Sequence, residues 1–464
     1  MFENKSQEQY LAKFITPEEA NSIARETGFV QRSGGKINPY DFLIAMIFRL
    51  STSVPPALKL IGSFLNFDIS SSGIHQRFSS KATSFFKSCL QLIIMKQLAF
   101  GECISTELLD PFNRVLIIDS SGWGLSKQLQ DVFCGSGGSG SDASCKIQFC
   151  YGYKTGSILL VDDTKGTMPD QKYSKNIGAI VEAGDLLLMD LGYWSFTTLH
   201  EIDTKKGYFI LRFNSIVNLY QDKNGELLKL ELPHILKKQE ESSIEFDAVI
   251  KGNKKNEHIN IRVVAFRAPE EVVNLRRKKL KANAKKKGRT PTKKSLELCA
   301  WSIFCTNAPA KLVPSNMIRS MYRIRWNIEL IFKSWKSILR VHRSNVRKNH
   351  DRVKCELYAK IIYAVIVHSI HHKLQYYAWT KKRKEISLDC LWKFIITRSE
   401  SIHNAMKSSI KDFSKLINSL FPLLMKTCEK KHQPSRKTTL QLINEMIGDD
   451  EPIKISCISN GYTT

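Results

Sequence analysis

Tyr322-Arg323-Ile324-Arg325-Trp326-Asn327-Ile328-Glu329-Leu330-Ile331-Phe332-Lys333-Ser334-Trp335-Lys336 is the stretch that decides the reading of this chain. Taken as a helix at about 100° per residue, it sets Tyr322 at about 0° and Arg325, Glu329 and Lys336 at about 300°, 340° and 320°, an arc of roughly 60°. Ile324, Ile328, Ile331, Phe332, Trp335, Ile338 and Leu339 fall in a separate arc, from about 160° to 280°. A carboxylate, two cations and a phenol thus line up beside a face made for a core. The layout suggests a metal-binding acid set among phosphate-binding groups, and it demands partner carboxylates elsewhere.

Two aliphatic runs supply them. Ile117-Ile118-Asp119-Ser120-Ser121-Gly122-Trp123 and Leu188-Met189-Asp190-Leu191-Gly192-Tyr193-Trp194 each end in an Asp, followed by a Gly and an aromatic residue. Short continuous apolar runs of this kind are buried on both faces of a sheet. If the two strands lie side by side and parallel, Asp119 and Asp190 emerge at one sheet edge, where α/β sites form. Glu329, on a helix packed against that sheet, would complete a set of three carboxylates. Hard divalent cations prefer such oxygen ligands, and Mg²⁺ keeps positions open for phosphate and water. Each acid alone says little, since an Asp after a strand is usually a turn or cap residue and a helix Glu usually a solvated charge. The conjunction says much more.

The 464 residues suffice for two to four domains and a large core. With 70 Lys and Arg against 44 Asp and Glu, the net charge of +26 points to a polyanionic partner. A Lys-rich compositional bias explains some of the lysines but not their clustering. Eleven cysteines form no CxxC pair, so neither a zinc ribbon nor a redox motif is indicated, and reduced thiols are expected. The amino terminus lacks an apolar signal core, and the longest apolar run, around 361–370, is too short to span a bilayer. These features predict a soluble intracellular protein.

Residues 1 to about 100 read as helical. Thr16-Pro17-Glu18-Glu19 is an N-cap with Pro at the first helical position, and a helix over 40–50 is broken by Ser51-Thr52-Ser53-Val54-Pro55-Pro56. Helices near 57–65 and 72–81, the latter with His75, Gln76 and Arg77, have helix-turn-helix dimensions or form an ordinary helical hairpin. Strands are expected at 115–118, 186–189, 208–212, 244–250, 259–266 and 301–306, with a hairpin of 146–153 and 157–162 around Lys154-Thr155-Gly156. A mostly helical tail follows from about 350. His368, His371 and His372 have helical spacing but no fourth ligand, so they read as packing or surface residues. Gly135 to Gly140 lacks the ending of a phosphate-binding loop and reads as a flexible loop beside the site.

The pattern Tyr-x2-Arg-x3-Glu-x6-Lys, filled by Tyr322, Arg325, Glu329 and Lys336, resembles the signature of the IS-four family of insertion-sequence transposases, part of the wider DDE transposases. Asp119 and Asp190 match the family's first two acids, and Lys206-Gly207-Tyr208-Phe209-Ile210-Leu211-Arg212 resembles its block after the second Asp. The resemblance covers about 112–345. It implies an α/β fold: a ribonuclease-H-like mixed-sheet catalytic core with a β-rich insertion and flanking helical regions. The corresponding divisions are 1–105 (helical, DNA-binding), 106–215 and 300–385 (the two parts of the core), 216–299 (basic insertion) and 386–464 (helical).

The resemblance further implies Mg²⁺-dependent nicking of DNA by water, with Mn²⁺ as a substitute, then attack of the freed 3′-hydroxyl on a target phosphodiester. Asp119, Asp190 and Glu329 would hold the metal and carry catalysis. Double-stranded DNA, both terminal inverted repeats and target, would be the partner, bound by a homodimer in a bacterial cytoplasm at the nucleoid. Tyr322, Arg325 and Lys336 suit phosphate contacts by donor geometry. Trp301 and Trp326 resemble aromatic positions that stack on a flipped base, although Trp301 also begins a buried strand. The run from Arg276 to Lys294 holds eleven cations and no acid, and its Lys285, Lys286 and Lys287 are expected on a mobile loop touching the DNA backbone. The rival readings are a nuclease of the same fold and an inactive descendant serving as a DNA-binding regulator.

Overall fold

The computed structural model describes residues 14–31, 38–50, 70–98, 109–138, 140–254, 257–382, 385–398, 401–402, 404–405 and 410–430. Ten strands form one mixed sheet: β1 (Val115–Leu125), β2 (Ala143–Gly152), β3 (Ser157–Lys165), β4 (Leu186–Met189), β5 (Tyr208–Arg212), β6 (Leu219–Lys223), β7 (Glu226–Leu230), β8 (Ser243–Lys251), β9 (His258–Arg267) and β10 (Trp301–Thr306). Their spatial order is β3-β2-β1-β4-β5-β10-β9-β8-β6-β7. The β1–β4 and β4–β5 pairs are parallel; every other pairing is antiparallel. The strands of 216–299 therefore extend the same sheet outward from β10.

Alternation along the central strands sorts their side chains into two cores. Val115, Ile117, Leu186, Leu188 and Ile210 join the larger core, built with the helices Pro39–Leu50, Ser80–Leu98, Trp326–Ser337 and His350–Lys382. Leu116, Ile118, Leu187, Met189, Phe209 and Leu211 face the other way. They meet Tyr173 and Ile177 of the Asp170–Ile180 helix and Leu199 and Ile202 of the Phe196–Thr204 helix. Burial on both faces is why these strands read as unbroken apolar runs.

The helix after Pro17 starts with the expected cap, Thr16 and Glu19 forming a reciprocal capping box. The helix expected over 40–50 runs from Pro39 to Leu50. The one expected over 72–81 does not form as a unit. Ser70 caps a single turn, Ser71–His75, and the Ser79 hydroxyl accepts from the Ala82 amide to start a separate helix, Ser80–Leu98. Its supposed partner at 57–65 lies outside the described residues. The apolar run at 361–370 is the middle of the 33-residue helix His350–Lys382, which packs on Ser80–Leu98. Among the described residues no helix is long and apolar enough to cross a membrane.

The basic run is mostly helix rather than loop, with a turn and coil only over 287–292. Residues 270–286 form a helix capped by Pro269, with Glu270 and Glu271 in its first turn and Lys285 and Lys286 in its last. That charge order complements the helix dipole. Arg276 turns inward, donating to the carbonyls of Cys299 and Trp301 and to the Ser302 hydroxyl, and so staples this helix to the start of β10. Lys285, Lys286 and Lys287 are exposed.

Candidate active site

Asp119 and Asp190 continue the alternation of Val115, Ile117 and of Leu186, Leu188, so both belong to the sheet face that carries the Trp326–Ser337 helix. The parallel register matches Ile118 with Met189, which makes the two acids the next pair in line. Asp119 is not at a strand end, as its sequence setting suggests. β1 runs on to Leu125, with Asp119 opposite Phe149 of β2. What ends there is the parallel partner: β4 stops at Met189, and Leu191–Tyr193 turns away as a short 3₁₀ helix. Asp119, half-buried, thus sits at the point where β1 loses one neighbour.

The signature stretch is two helices rather than one, Ser315–Arg323 and Trp326–Ser337. Ile324 and Arg325 between them keep helical dihedrals, but their bonds tighten to i→i−3: Ile324 to Met321, Arg325 to Tyr322, Asn327 to Ile324 and Ile328 to Arg325. The Asn327 side-chain amide also donates to the Ile324 carbonyl at 2.7 Å. A tight turn of this kind preserves the common face. Ile324, Ile328, Ile331, Phe332, Trp335 and Leu339 fill the larger core, while the polar residues turn toward β1 and β4.

Arg325 is the hub of that polar face. One terminal nitrogen lies 3.2 Å from Asp119 Oδ2 and the other 2.8 Å from Glu329 Oε1, so a single guanidinium bridges the strand acid and the helix acid. Its cationic carbon lies 5.7 Å from the centre of the Tyr322 ring, which Arg212 also approaches at 5.8 Å. The Tyr322 hydroxyl donates to the Met189 carbonyl at 3.2 Å, fixing the residue just before Asp190. Burial pushes the Tyr322 phenol up to about 12, so it stays a donor. Lys336 donates to the Gly122 carbonyl at 3.3 Å, two β1 side-chain positions beyond Ser120.

Burial raises the Asp119 carboxyl to about 6, against the lowering pull of Arg325 and of the Ser120 amide bond to its Oδ1. The charges of Asp190 and Glu329 raise it further, so Asp119 lies in the field of both. Among the described residues, no three His, Cys, Asp or Glu close around a common ion position as they stand. The Arg325 guanidinium occupies the space between Asp119 and Glu329. The donor set is nonetheless all oxygen and partly desolvated, and it fits a hard divalent cation.

An open cleft of about 780 Å³ borders Asp119 and Glu329 and extends along Lys333, Lys336, Arg340, His342 and Arg343. Trp326, half-buried at the start of its helix, keeps an indole N–H with no partner among the described residues. Trp301 is not brought to the acids. It lies in the core on the opposite sheet face, under Arg267 at 4.7 Å. His368, His371 and His372 are buried in the His350–Lys382 helix, and they act as packing groups. His368 accepts from the Trp335 indole at 3.2 Å, and burial holds it down to about 3.

Sequence reasoning missed Asp170. One of its oxygens accepts from the Ser120 hydroxyl at 2.8 Å, from Lys146 at 3.1 Å and from the Gln148 amide at 3.1 Å. Gln148 in turn accepts from the Tyr193 hydroxyl. This network lies beneath the sheet at the two acids, joining the residue after Asp119 to the 3₁₀ turn after Asp190.

The mixed sheet, the paired Asp strands and the Glu-bearing helix define a polynucleotidyl-transfer type of core, and the family comparison agrees: residues 110–366 match the model described as the transposase DDE domain. The chain belongs to the DDE transposases, whose catalytic core is ribonuclease-H-like, whose substrate is DNA and whose chemistry uses a divalent metal. It is similar to the transposase for insertion sequence element IS231E of Bacillus thuringiensis subsp. finitimus, at 28% identity over 93% of this chain and 94% of that protein. The transposase for IS231B of Bacillus thuringiensis subsp. berliner gives the same 28%, 93% and 94%. The transposase for IS1151 of Clostridium perfringens is 27% identical over 76% of this chain and 79% of its own length.

Proposed function

We propose that this transposase moves an insertion sequence by cut-and-paste transposition, with Asp119, Asp190 and Glu329 as its catalytic, metal-holding acids. The observation that carries the proposal is the β1–β4 register, which aligns the two Asp residues under the helix that bears Glu329. Insertion-sequence relatives matching over most of the chain support it. The oxygen donor set favours Mg²⁺, with Mn²⁺ as a substitute. Two such ions would activate the attacking oxygen and stabilise the leaving one.

The chain's own groups prepare that chemistry. Arg325 neutralises Asp119 and Glu329 before DNA and metal arrive, and its fork then suits a phosphate. Tyr322 clamps the backbone at Asp190, and Lys336 supplies a point charge beside Gly122. Trp326, with its spare indole donor, is assigned the base-stacking role in place of Trp301. Residues 1–105 would bind the terminal inverted repeats, 106–215 and 300–385 form the catalytic core, and 216–299 track the DNA backbone. Residues 386–464 form the C-terminal region, and the protein acts as a homodimer on terminal and target DNA in a bacterial cytoplasm.

The test combines wild-type protein, Mg²⁺, a duplex carrying the DNA that flanks its coding region, and a plasmid target. Nicking at the element ends with the 3′-hydroxyl joined to the plasmid is the expected result. Hydrolysis without joining would make the chain a nuclease of the same fold, and no cleavage at all would leave a DNA-binding regulator.

A further inference from the structure

The cleft beside the acids has a second charged wall that neither the signature nor the family comparison assigns. It begins where the Trp326–Ser337 helix ends. Arg340 there has φ +50, a left-handed conformation in which glycine is the default residue and a β-substituted one is strained. The chain nevertheless carries Arg at this position, flanked by the buried Leu339 and Val341. Strain of this sort persists only where the surroundings enforce it, and it concentrates at functional sites.

The enforcement is visible. Lys360, buried within the His350–Lys382 helix, donates to the carbonyls of both Arg340 and Arg343, at 3.1 and 2.9 Å. The Arg343 amide donates to the Arg340 carbonyl at 2.9 Å and the Val341 amide to the Trp335 carbonyl at 3.1 Å. Just beyond, the Ser344 hydroxyl donates to Glu356. A buried ammonium thus fixes a four-residue turn from below, while Arg340, His342 and Arg343 line the cleft above. His342 stands in the field of Arg343, Lys336, Lys360 and Arg340, and its Nδ1 is buried with no partner among the described residues. A fixed cluster of cations with an unsatisfied imidazole nitrogen is the complement of an anion rather than of a protein apolar surface.

We propose that the 340–343 turn is a second phosphate subsite, holding a backbone phosphate of the DNA strand next to the bond cut at Asp119 and Glu329. Arg340 and Arg343 give charge-assisted donors, and His342 adds a donor once an anion offsets the surrounding cations. Held at this subsite, the strand has its direction through the cleft set, and the neighbouring phosphate is presented to the acids. The inference rests on the reading of those acids as the cutting site, so its test must read the turn separately.

Arg340→Gly provides that separation, because glycine removes the side chain and relieves the left-handed strain at once. The variant is expected to melt at or above the wild-type temperature while binding a short labelled duplex about tenfold more weakly in chelator. The slope of log affinity against log salt should become shallower by about 0.9 for the lost contact. Arg343→Ala, at an exposed side chain, should give a similar loss and provides the reading if the glycine variant folds poorly. In ethylation interference with the DNA flanking the coding region, wild type should be sensitive at a phosphate beside the nicked bond, and both variants should lose that sensitivity alone. Wild-type affinity, salt slope and interference pattern in both variants would overturn the subsite while leaving the triad untouched. Absence of nicking by the wild type would instead count against the catalytic reading, with the binding measurements still deciding the subsite.

Discussion

At the scale of single residues, the site is governed by what burial does to charge. Asp119 is held near 6 rather than 3.8 because its partly buried carboxylate is poorly solvated and Arg325 offsets only part of that penalty. A carboxyl whose pKa rises on folding binds its proton more tightly in the folded state. Its contribution to stability is therefore complete below about 3.8 and is lost as the pH climbs through about 6. Asp119→Asn, neutral at every pH, should accordingly be more stable than the wild type at pH 8 in chelator, on the order of 2 kcal/mol. Denaturant titrations across pH should show the gap closing between about 6 and 4. A gap that widens on acidification would mean that the Arg325 ion pair outweighs burial. If Asp119 holds metal as proposed, binding needs its carboxylate, so cleavage should fall as pH drops through the same window.

At the scale of elements, the strongest sequence signals were short apolar runs bounded by turn residues. β4, β5 and β10 match their expected limits of 186–189, 208–212 and 301–306 because both faces of each are buried. The extension of β1 through Ser120-Ser121-Gly122 was not legible, since it is decided by pairing with β2 rather than by its own side chains. The basic run hides its structure for the opposite reason: its Lys and Arg density reads as a loop, although the helix Glu270–Lys286 shows an acidic first turn and a basic last turn in the sequence. The Asp170 network left no local trace, because its partners are 50, 24 and 22 residues away. Tying β1, β2 and the Asp170–Ile180 helix together beneath the acids, it should hold them in register. Asp170→Ala should cost on the order of 2 kcal/mol, less than a fully buried pair because Lys146 and Asp170 keep some solvent. It should also lower kcat for nicking more than it raises KM, with partial rescue in Asp170→Asn, which retains an acceptor for Ser120. A loss of stability with unchanged kcat would make the network a fold support only.

At the scale of the whole molecule, a net charge of +26 is spread over surfaces with different tasks. Arg276 is spent on holding the 270–286 helix to β10, whereas Lys285, Lys286 and Lys287 project at its far end. Replacing those three lysines with Ala should weaken specific and random DNA by similar factors and flatten the salt dependence, with little change in melting temperature. An unaltered salt slope would remove this helix from the DNA-binding surface. The central claim is the proposed catalytic role of Asp119 and Glu329, which Arg325 bridges, and of Asp190, next in register to Asp119. It is tested most directly by measuring cleavage and binding of the same end-bearing duplex for Asp119→Asn, Asp190→Asn and Glu329→Gln. The account predicts that each variant loses nicking in Mg²⁺ while binding the duplex within a few-fold of wild type; wild-type cleavage by any one of the three would contradict it.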